Sequence, residues 1–302
     1  MWFAFALLTA FTWGGADLFY KKGTDPLDRF SHIKIVIMVG LVMGIHGTGY
    51  MLTKGITLDP MDMIRYLPVS ALYILSMAIG YIGLRYIDLS IASPVQNSSG
   101  AVTTILLFIF FTHTLNLIQI LGIVTITLGV ISIAILEKKE EQAALRANST
   151  EMDRKYQIGF MAIMFPILYC LIDGLGTFAD GIYLDELKLI SEDAALLSYE
   201  FTFFICAAIC FIYLKFMKKE SFNPFKERDK GCAAILETIG QFFYVFAMSS
   251  NAIIAAPLIA SYSIFSVILS RIFLKEKLSK LQYVVIVVVI VGIALLGIAD
   301  EL

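Results

Sequence analysis

The chain is 302 residues long, 59% hydrophobic and only 16% charged, with a formal net charge of −2 and a mean hydropathy of +0.82. Ordinary globular domains carry about 25% charged residues, so this composition excludes a typical water-soluble enzyme and points to a chain embedded in lipid. Acids and bases nearly balance, which leaves no basic face for nucleic acid.

Ten apolar runs follow one another, each near the roughly 20 residues needed to cross a bilayer. Run one, Trp2–Tyr20, contains Thr12-Trp13-Gly14 and Asp17, and run two, Ser31–Leu52, sets His46 among Gly40, Gly44, Gly47 and Gly49. Run three, Tyr66–Tyr86, holds Tyr73, and run four, Ala92–Phe111, holds Gln96-Asn97-Ser98-Ser99-Gly100 with Thr103 and Thr104. Run five is Asn116–Leu136. Run six, Gln157–Asp180, carries Tyr169 and Asp173, and run seven, Ala194–Leu214, carries Glu200. Run eight, Cys232–Ser250, carries Glu237, Gln241 and Tyr244; run nine, Ile253–Leu274, carries Ser261-Tyr262-Ser263, Ser266 and Ser270; run ten is Leu281–Ile298. All are expected to be helices, because an open strand edge cannot satisfy its backbone in lipid. Met1 leads straight into run one with no basic segment before it, so that run is expected to be a retained helix and not a removed signal peptide. Cys170, Cys206, Cys210 and Cys232 form no CxxC pair and read as small packed hydrophobes.

Charge is sorted by connection. Of the 23 lysines and arginines, 20 lie in or beside the connections between runs one–two, three–four, five–six, seven–eight and nine–ten; the others are Lys54, Arg65 and Lys188. Membrane insertion keeps Lys and Arg on the cytoplasmic side. The expected protein is therefore a multi-pass protein of the cell membrane, with Lys138–Lys155 and Lys218–Lys230 inside and both termini outside.

The chain also repeats itself. Shifted by 163 residues, Ile91-Ala92-Ser93-Pro94 falls on Ile254-Ala255-Ala256-Pro257, Ser98 on Ser261, Ile109-Phe110 on Ile272-Phe273, Leu115 on Leu278, Gln119 on Gln282 and Gly129 on Gly292. Five runs per half is an odd number, so the halves would have opposite orientations. Inverted repeats with a site at their interface are the architecture of secondary transporters. The expected division is a first five-helix repeat over 1–136, a polar connecting loop over 137–156 and a second repeat over 157–302.

Two such halves, Thr12-Trp13-Gly14 and the closing pattern Phe273-Leu274-Lys275-Glu276-Lys277-Leu278 … Gln282 … Gly292 resemble the EamA-type transporters of the drug/metabolite transporter superfamily. The resemblance spans nearly the whole chain and implies an all-α fold, a transport role and a central cavity lined in part by the fourth helix of each half. Two features depart from the pattern. Thr112-His113-Thr114 stands where the second half has Lys275-Glu276-Lys277. The charge bias also puts the termini outside, where many relatives have them inside.

Five acids lie within runs: Asp17, Asp173, Asp180, Glu200 and Glu237. Each costs about 2.5–3.5 kcal/mol on insertion scales and reads by default as functional. An i,i+4 pair with Lys21 accounts for Asp17 equally well, and interfacial solvation accounts for Asp180 and Glu200. Asp173 and Glu237 are hardest to excuse; Glu237 is about 10 Å past Lys230 at 1.5 Å per residue. Trp13 with Asp17 and Tyr169 with Asp173 are i,i+4 pairs, and Glu237, Gln241 and Tyr244 form one stripe. Carboxylates beside aromatics suit a bound ammonium. The expected substrate site comprises Trp13, Asp17, Tyr73, Asn97, Tyr169, Asp173, Glu237, Gln241, Tyr244 and Tyr262. Aromatic stripes also serve as packing, and the hydroxyl-rich runs four and nine also serve as helix–helix glue. A lone intramembrane histidine such as His46 is ordinarily a packed hydrogen-bonding residue, and run two is too glycine-rich for Gly40 and Gly44 to specify a dimer.

The reading is a secondary transporter of a small amine, quaternary ammonium or zwitterionic compound, with protons as a candidate coupling ion, the bilayer as its surroundings and no cofactor or metal. A neutral substrate stands second. A membrane-embedded aspartyl enzyme using Asp173 and Asp180 stands third, since those residues lie ~10 Å apart along one helix, too far to share a water. HExxH and Walker-A motifs are absent from the sequence. The oligomeric state, a homodimer included, is left open.

Overall fold

The computed structural model describes residues 1–25, 27–147 and 152–301, with side chains described for 1–25, 27–136, 139 and 164–300. Among these residues the chain forms eleven α-helices and no strand. They are α1 Trp2–Gly23, α2 Ser31–Lys54, α3 Pro60–Gly83, α4 Leu89–Asn97, α5 Ser99–Phe110, α6 Leu117–Ala147, α7 Met152–Gly181, α8 Glu192–Ile212, α9 Arg228–Ala260, α10 Tyr262–Leu269 and α11 Lys280–Glu301. Single π-helical turns continue α7, α8 and α10. Eight helical stretches are long and apolar enough to cross a membrane. This is a multi-pass integral membrane protein.

Local signals set the ends. Asp59 accepts from the Met61 N–H at the start of α3, where Pro60 takes the first helical position, and Ser191 does the same for Ala194 in α8. The repeated glutamines belong to capping boxes: Asn116 and Gln119 exchange bonds of 2.9 and 2.8 Å before α6, and Ser279 and Gln282 pair likewise before α11. Pro94 and Pro257 each precede a break by four residues, at Ser98 between α4 and α5 and at Ser261 between α9 and α10. Helix α9 has a second interruption at Asn251, whose backbone is extended (φ −169°, ψ 84°).

The polar connection expected as a loop over 137–156 is helical up to Ala147 and again from Met152, while residues 148–151 lie outside the described residues. Glu, Lys, Gln, Ala, Leu and Arg dominate 137–147, and these are strong helix formers that extend α6 beyond its apolar part.

Helix α1 packs against α9 and α10, α7 against α3 and α5, α2 against α8, and α6 against α11. The glycines of α2 make its seam with α8 close. A Cβ on Gly40 would lie 2.4 Å from the Ala207 Cβ, one on Gly44 2.5 Å from the Phe204 ring, and one on Gly47 2.9 Å from Glu200 Oε2. Small residues let helix backbones approach in this way.

One end of the molecule gathers bases. Lys22, Lys34, Lys226, Arg228 and Lys230 surround one surface depression, and Arg85 donates to the Arg29 carbonyl. Lys21 Nζ donates to the carbonyls of Leu84 and Ile87 at 3.0 and 2.5 Å, and Glu276 accepts from the N–H groups of Leu89 and Ser90 at 3.3 and 3.0 Å. Both latch the connection from α3 to α4. At the other end Asp185 accepts from the Ala252 N–H at 2.7 Å, and His113 lies 3.1 Å from Glu186.

Candidate functional site

A central cavity of about 70 Å³ lies between α1, α3, α4, α5, α7, α8, α9 and α10. At roughly 10–15 Å³ of such space per water it holds on the order of five to seven waters, or a compact ligand. All ten residues expected at the site line it: Trp13, Asp17, Tyr73, Asn97, Tyr169, Asp173, Glu237, Gln241, Tyr244 and Tyr262. Tyr20, Tyr81, Tyr199, Met77, Gln96, Ser99 and Thr177 line it as well. The lining thus holds three carboxylates and eight large aromatic side chains and includes no Lys, Arg or His among the described residues.

Sequence spacing explains much of this convergence. Asp17 lies one turn after Trp13 on α1, Asp173 one turn after Tyr169 on α7, and Gln241 and Tyr244 one and two turns after Glu237 on α9. On α3, Tyr73, Met77 and Tyr81 recur every four residues and form a stripe that the sequence also carried. Tyr20, three residues after Asp17 at the end of its run, was not singled out in the sequence, yet it lines the cavity as well.

Trp13 organises one wall. Its indole stacks on Tyr244 with centroids 5.1 Å apart, meets Tyr262 edge-on at 5.7 Å, and donates from Nε1 to the Glu237 carbonyl at 3.2 Å. Gly240 makes room for it, since a Cβ there would come within 2.3 Å of Trp13 Cδ1. Tyr73 and Tyr244 share a short hydroxyl–hydroxyl contact, and Tyr73 also donates to Thr177 at 3.1 Å.

The acids differ in how they are held. Asp17 accepts from the hydroxyls of Ser93 and Ser266 at 2.6 and 2.7 Å, which draws α4 and α10 onto α1. The alternative pairing with Lys21 is not formed, because that ammonium points to carbonyls at the basic end. Asp173 accepts from Ser99 at 2.8 Å and Ser76 at 3.3 Å. Glu237 is 7% exposed, and its nearest donor is the Tyr20 hydroxyl at 3.5 Å from Oε2, a long contact. Gln241 Nε2, buried at the cavity wall, has no hydrogen-bond partner among the described residues. A buried donor left unpaired costs roughly 1–3 kcal/mol, which is a standing incentive for a ligand acceptor.

Two acids read as interfacial are buried. Asp180 is 0% exposed and accepts from Tyr66, because the π turn carries its helix on past it to Glu186. Glu200 is 0% exposed and bonds to His46 Nδ1 at 2.7 Å, because α8 begins at Glu192 and sinks position 200 two turns deep. Neither lines the cavity. The hydroxyl-rich segments split between two roles: Ser99 faces the cavity, while Ser98 returns its hydroxyl to the Pro94 carbonyl and Thr103 donates across to the Gly174 carbonyl at 3.1 Å. Of the cysteines, Cys170, Cys206 and Cys210 are half-buried and Cys232, at the start of α9, is exposed.

Comparison with known proteins places this architecture. A solved structure titled only as the crystal structure of a protein aligns with a TM-score of 0.64 over 96% of this chain and 97% of its own, at 13% sequence identity, which shows a shared fold. No curated protein matches the chain in sequence. The model of the EamA-like transporter family matches residues 1–135 and again 161–298. The chain belongs to the EamA-like transporter family of membrane proteins.

Proposed function

We propose that this protein is a secondary transporter carrying a small amine, quaternary ammonium or zwitterionic metabolite across the cytoplasmic membrane by alternating access. The observation that carries the reading is the cavity wall: Asp17, Asp173 and Glu237 among Trp13 and seven tyrosines, with no basic side chain among the described lining residues. A carboxylate supplies the counter-charge and the ring faces supply cation–π attraction. An anion would meet only like charge there.

In this reading the halves are inverted five-helix repeats with ten crossings. Helix α9 with α10 and its π turn runs 47 residues, too long for one crossing and interrupted at Asn251, so it counts as two. Helices α4 and α5, of 9 and 12 residues, join at Ser98 to make one more. Reciprocal contacts support the two-fold relation. Gly129 packs against Val289 and Gly292 against Ile126, and the 163-residue shift turns each contact into the other. The helix pairs α2–α8 and α6–α11 likewise map onto themselves when the halves are exchanged.

Glu237 is the acid proposed to serve as substrate counter-charge or proton carrier, since it is buried and its only side-chain bond is long. A neutral metabolite is the second reading, favoured by the amides of Gln96, Asn97 and Gln241 in the same wall. What supports transport over an aspartyl enzyme is that the two acids such an enzyme would pair are held apart, Asp173 in the cavity lining and Asp180 bonded to Tyr66 and absent from that lining. The test is a thermal-unfolding screen of purified protein against amines, quaternary ammonium compounds, neutral metabolites and organic anions. A cavity ligand at 100 times its Kd stabilises by about 2.7 kcal/mol. Amines and quaternary ammonium compounds are expected to raise the midpoint; a response to anions alone would overturn the substrate class.

A further inference from the structure

Outside the cavity, the seam between α2 and α8 contains a second buried carboxylate site. Glu200 has 0% exposure, and its Oε1 lies 2.7 Å from His46 Nδ1. Its other oxygen, Oε2, is buried without a hydrogen-bond partner among the described residues, against the bare backbone of Gly47. Glu200 is eight residues into α8, about 12 Å from that helix end. A purely structural acid at such depth is costly, and well-packed apolar residues would hold the seam as well or better.

His46 is built differently from its partner. Its side chain is 34% exposed, and its ring packs on Tyr50 at 6.0 Å and edge-on to Phe242 at 6.1 Å. Tyr50 in turn donates to Asp193 at 2.7 Å, toward the end opposite the basic one. Histidine is the side chain that titrates near neutral pH. A carboxylate at Nδ1 keeps the hydrogen on that nitrogen in both charge states, so the exchangeable proton belongs to Nε2. Titratable and charged groups near the pair include Tyr50 and Lys54 on α2 and Asp193, Tyr199 and Cys206 on α8; α3, which also packs on α8, brings Tyr73 against Tyr199, and α9 presents the Phe242 ring while its acid Glu237 lines the cavity.

We propose that His46 and Glu200 form a proton-binding site, separate from the substrate cavity, that controls the packing of α2 against α8. With the proton on Nε2, imidazolium and carboxylate sum to zero charge. When the Nε2–H bond breaks, the proton leaves toward the Asp193 end and a net charge of −1 stays in an apolar seam. That charge disfavours the packed arrangement. The seam is close, with Gly40, Gly44 and Gly47 of α2 lying against Phe203, Phe204, Ala207 and Glu200 of α8, so a charge left on Glu200 acts directly on the distance between the two helices. Tyr199, next to Glu200, lines the substrate cavity and ties the seam to it. The site deepens the transport reading and rests on it for a coupling role, but proton binding and helix movement are measurable without a substrate.

The experiment uses full-length protein in phosphatidylethanolamine–phosphatidylglycerol nanodiscs. Nitrogen-15 NMR of labelled histidine follows His46, assigned by the signal lost in His46→Gln. Spin labels at Ile45→Cys and Ile205→Cys, with the four native cysteines replaced, report the α2–α8 distance from pH 5 to 9. The expected result is a distance change that tracks the His46 Nε2 titration and is lost in both His46→Gln and Glu200→Gln. Having two variants guards against one that fails to fold. A His46 titration with no distance change, or a distance change that persists in both variants, would overturn the proposal. Neither readout contains a substrate, so an incorrect substrate class shows in the thermal screen alone.

Discussion

Glu237 sits where the chemistry of the cavity is most exposed to test. Its carboxylate is buried and its one side-chain hydrogen bond among the described residues is a 3.5 Å approach from Tyr20, whereas Asp17 and Asp173 each accept two serine hydroxyls. Hydrogen bonds to charged groups contribute about 1.5–3 kcal/mol, and 1.4 kcal/mol is tenfold in affinity. Glu237→Gln is therefore expected to weaken binding of a quaternary ammonium ligand by roughly 10- to 100-fold with little change in unfolding temperature, as measured by calorimetric titration. Unchanged affinity would make Glu237 structural and move attention to Asp173. The acid–aromatic pairs of α1, α7 and α9 were legible because i,i+4 spacing on the first two and i,i+7 spacing on the third place both side chains on one face. The serine partners of Asp17 were not, since they come from α4 and α10 and helical spacing says nothing about which helices meet.

At the scale of single helices, glycine decides the α2–α8 seam. Read along the sequence, α2 with Gly40, Gly44, Gly47 and Gly49 looked too glycine-rich for Gly40 and Gly44 to specify a dimer. In the structure the first three lie against α8, and Gly49 has no atom within 4 Å of where its Cβ would be. Gly40→Ala would put a methyl 2.4 Å from the Ala207 Cβ and 2.5 Å from the Phe203 carbonyl oxygen, so the helices must separate. Overpacking of this kind costs about 1–3 kcal/mol, whereas Gly49→Ala is expected to stabilise by up to about 1 kcal/mol through helix propensity. Denaturation in mixed micelles checks the pair; equal effects would mean that the seam is not close-packed. Helix ends were the least legible feature. Asp180 and Glu200 looked interfacial because apolar runs mark the greasy part of a helix, while the π turn after α7 and the Glu192 start of α8 extend each helix into polar sequence.

For the whole molecule, the sorting of 20 of 23 basic residues into alternate connections was plain in the sequence, and Lys22, Lys34, Lys226, Arg228 and Lys230 line one surface depression together with five acids. The expected orientation follows from that sorting. A cysteine at Leu187, 55% exposed between α7 and α8, should be labelled from outside intact cells, and one at Phe225, 89% exposed between α8 and α9, only after permeabilisation. The reverse pattern would invert the topology. The residue pairs from which the repeat is read, Pro94 and Pro257, Gln119 and Gln282, and Gly129 and Gly292, each have a matching local duty: a helix break four residues on, a capping box, and a close helix contact. The cavity itself was not legible as a shape, because its walls come from eight helices and no local pattern encodes their relative placement. The central claim, that this cavity receives a positively charged amine, is tested most directly by its own tryptophan. The chain has two tryptophans, so Trp2→Phe leaves Trp13, stacked on Tyr244 at the cavity wall, as the sole indole. Trp13 emission should change saturably as a series of amines and quaternary ammonium compounds is titrated in, and that change should weaken at least tenfold with Glu237→Gln. A saturable response to organic anions, with none to any amine, would contradict the account.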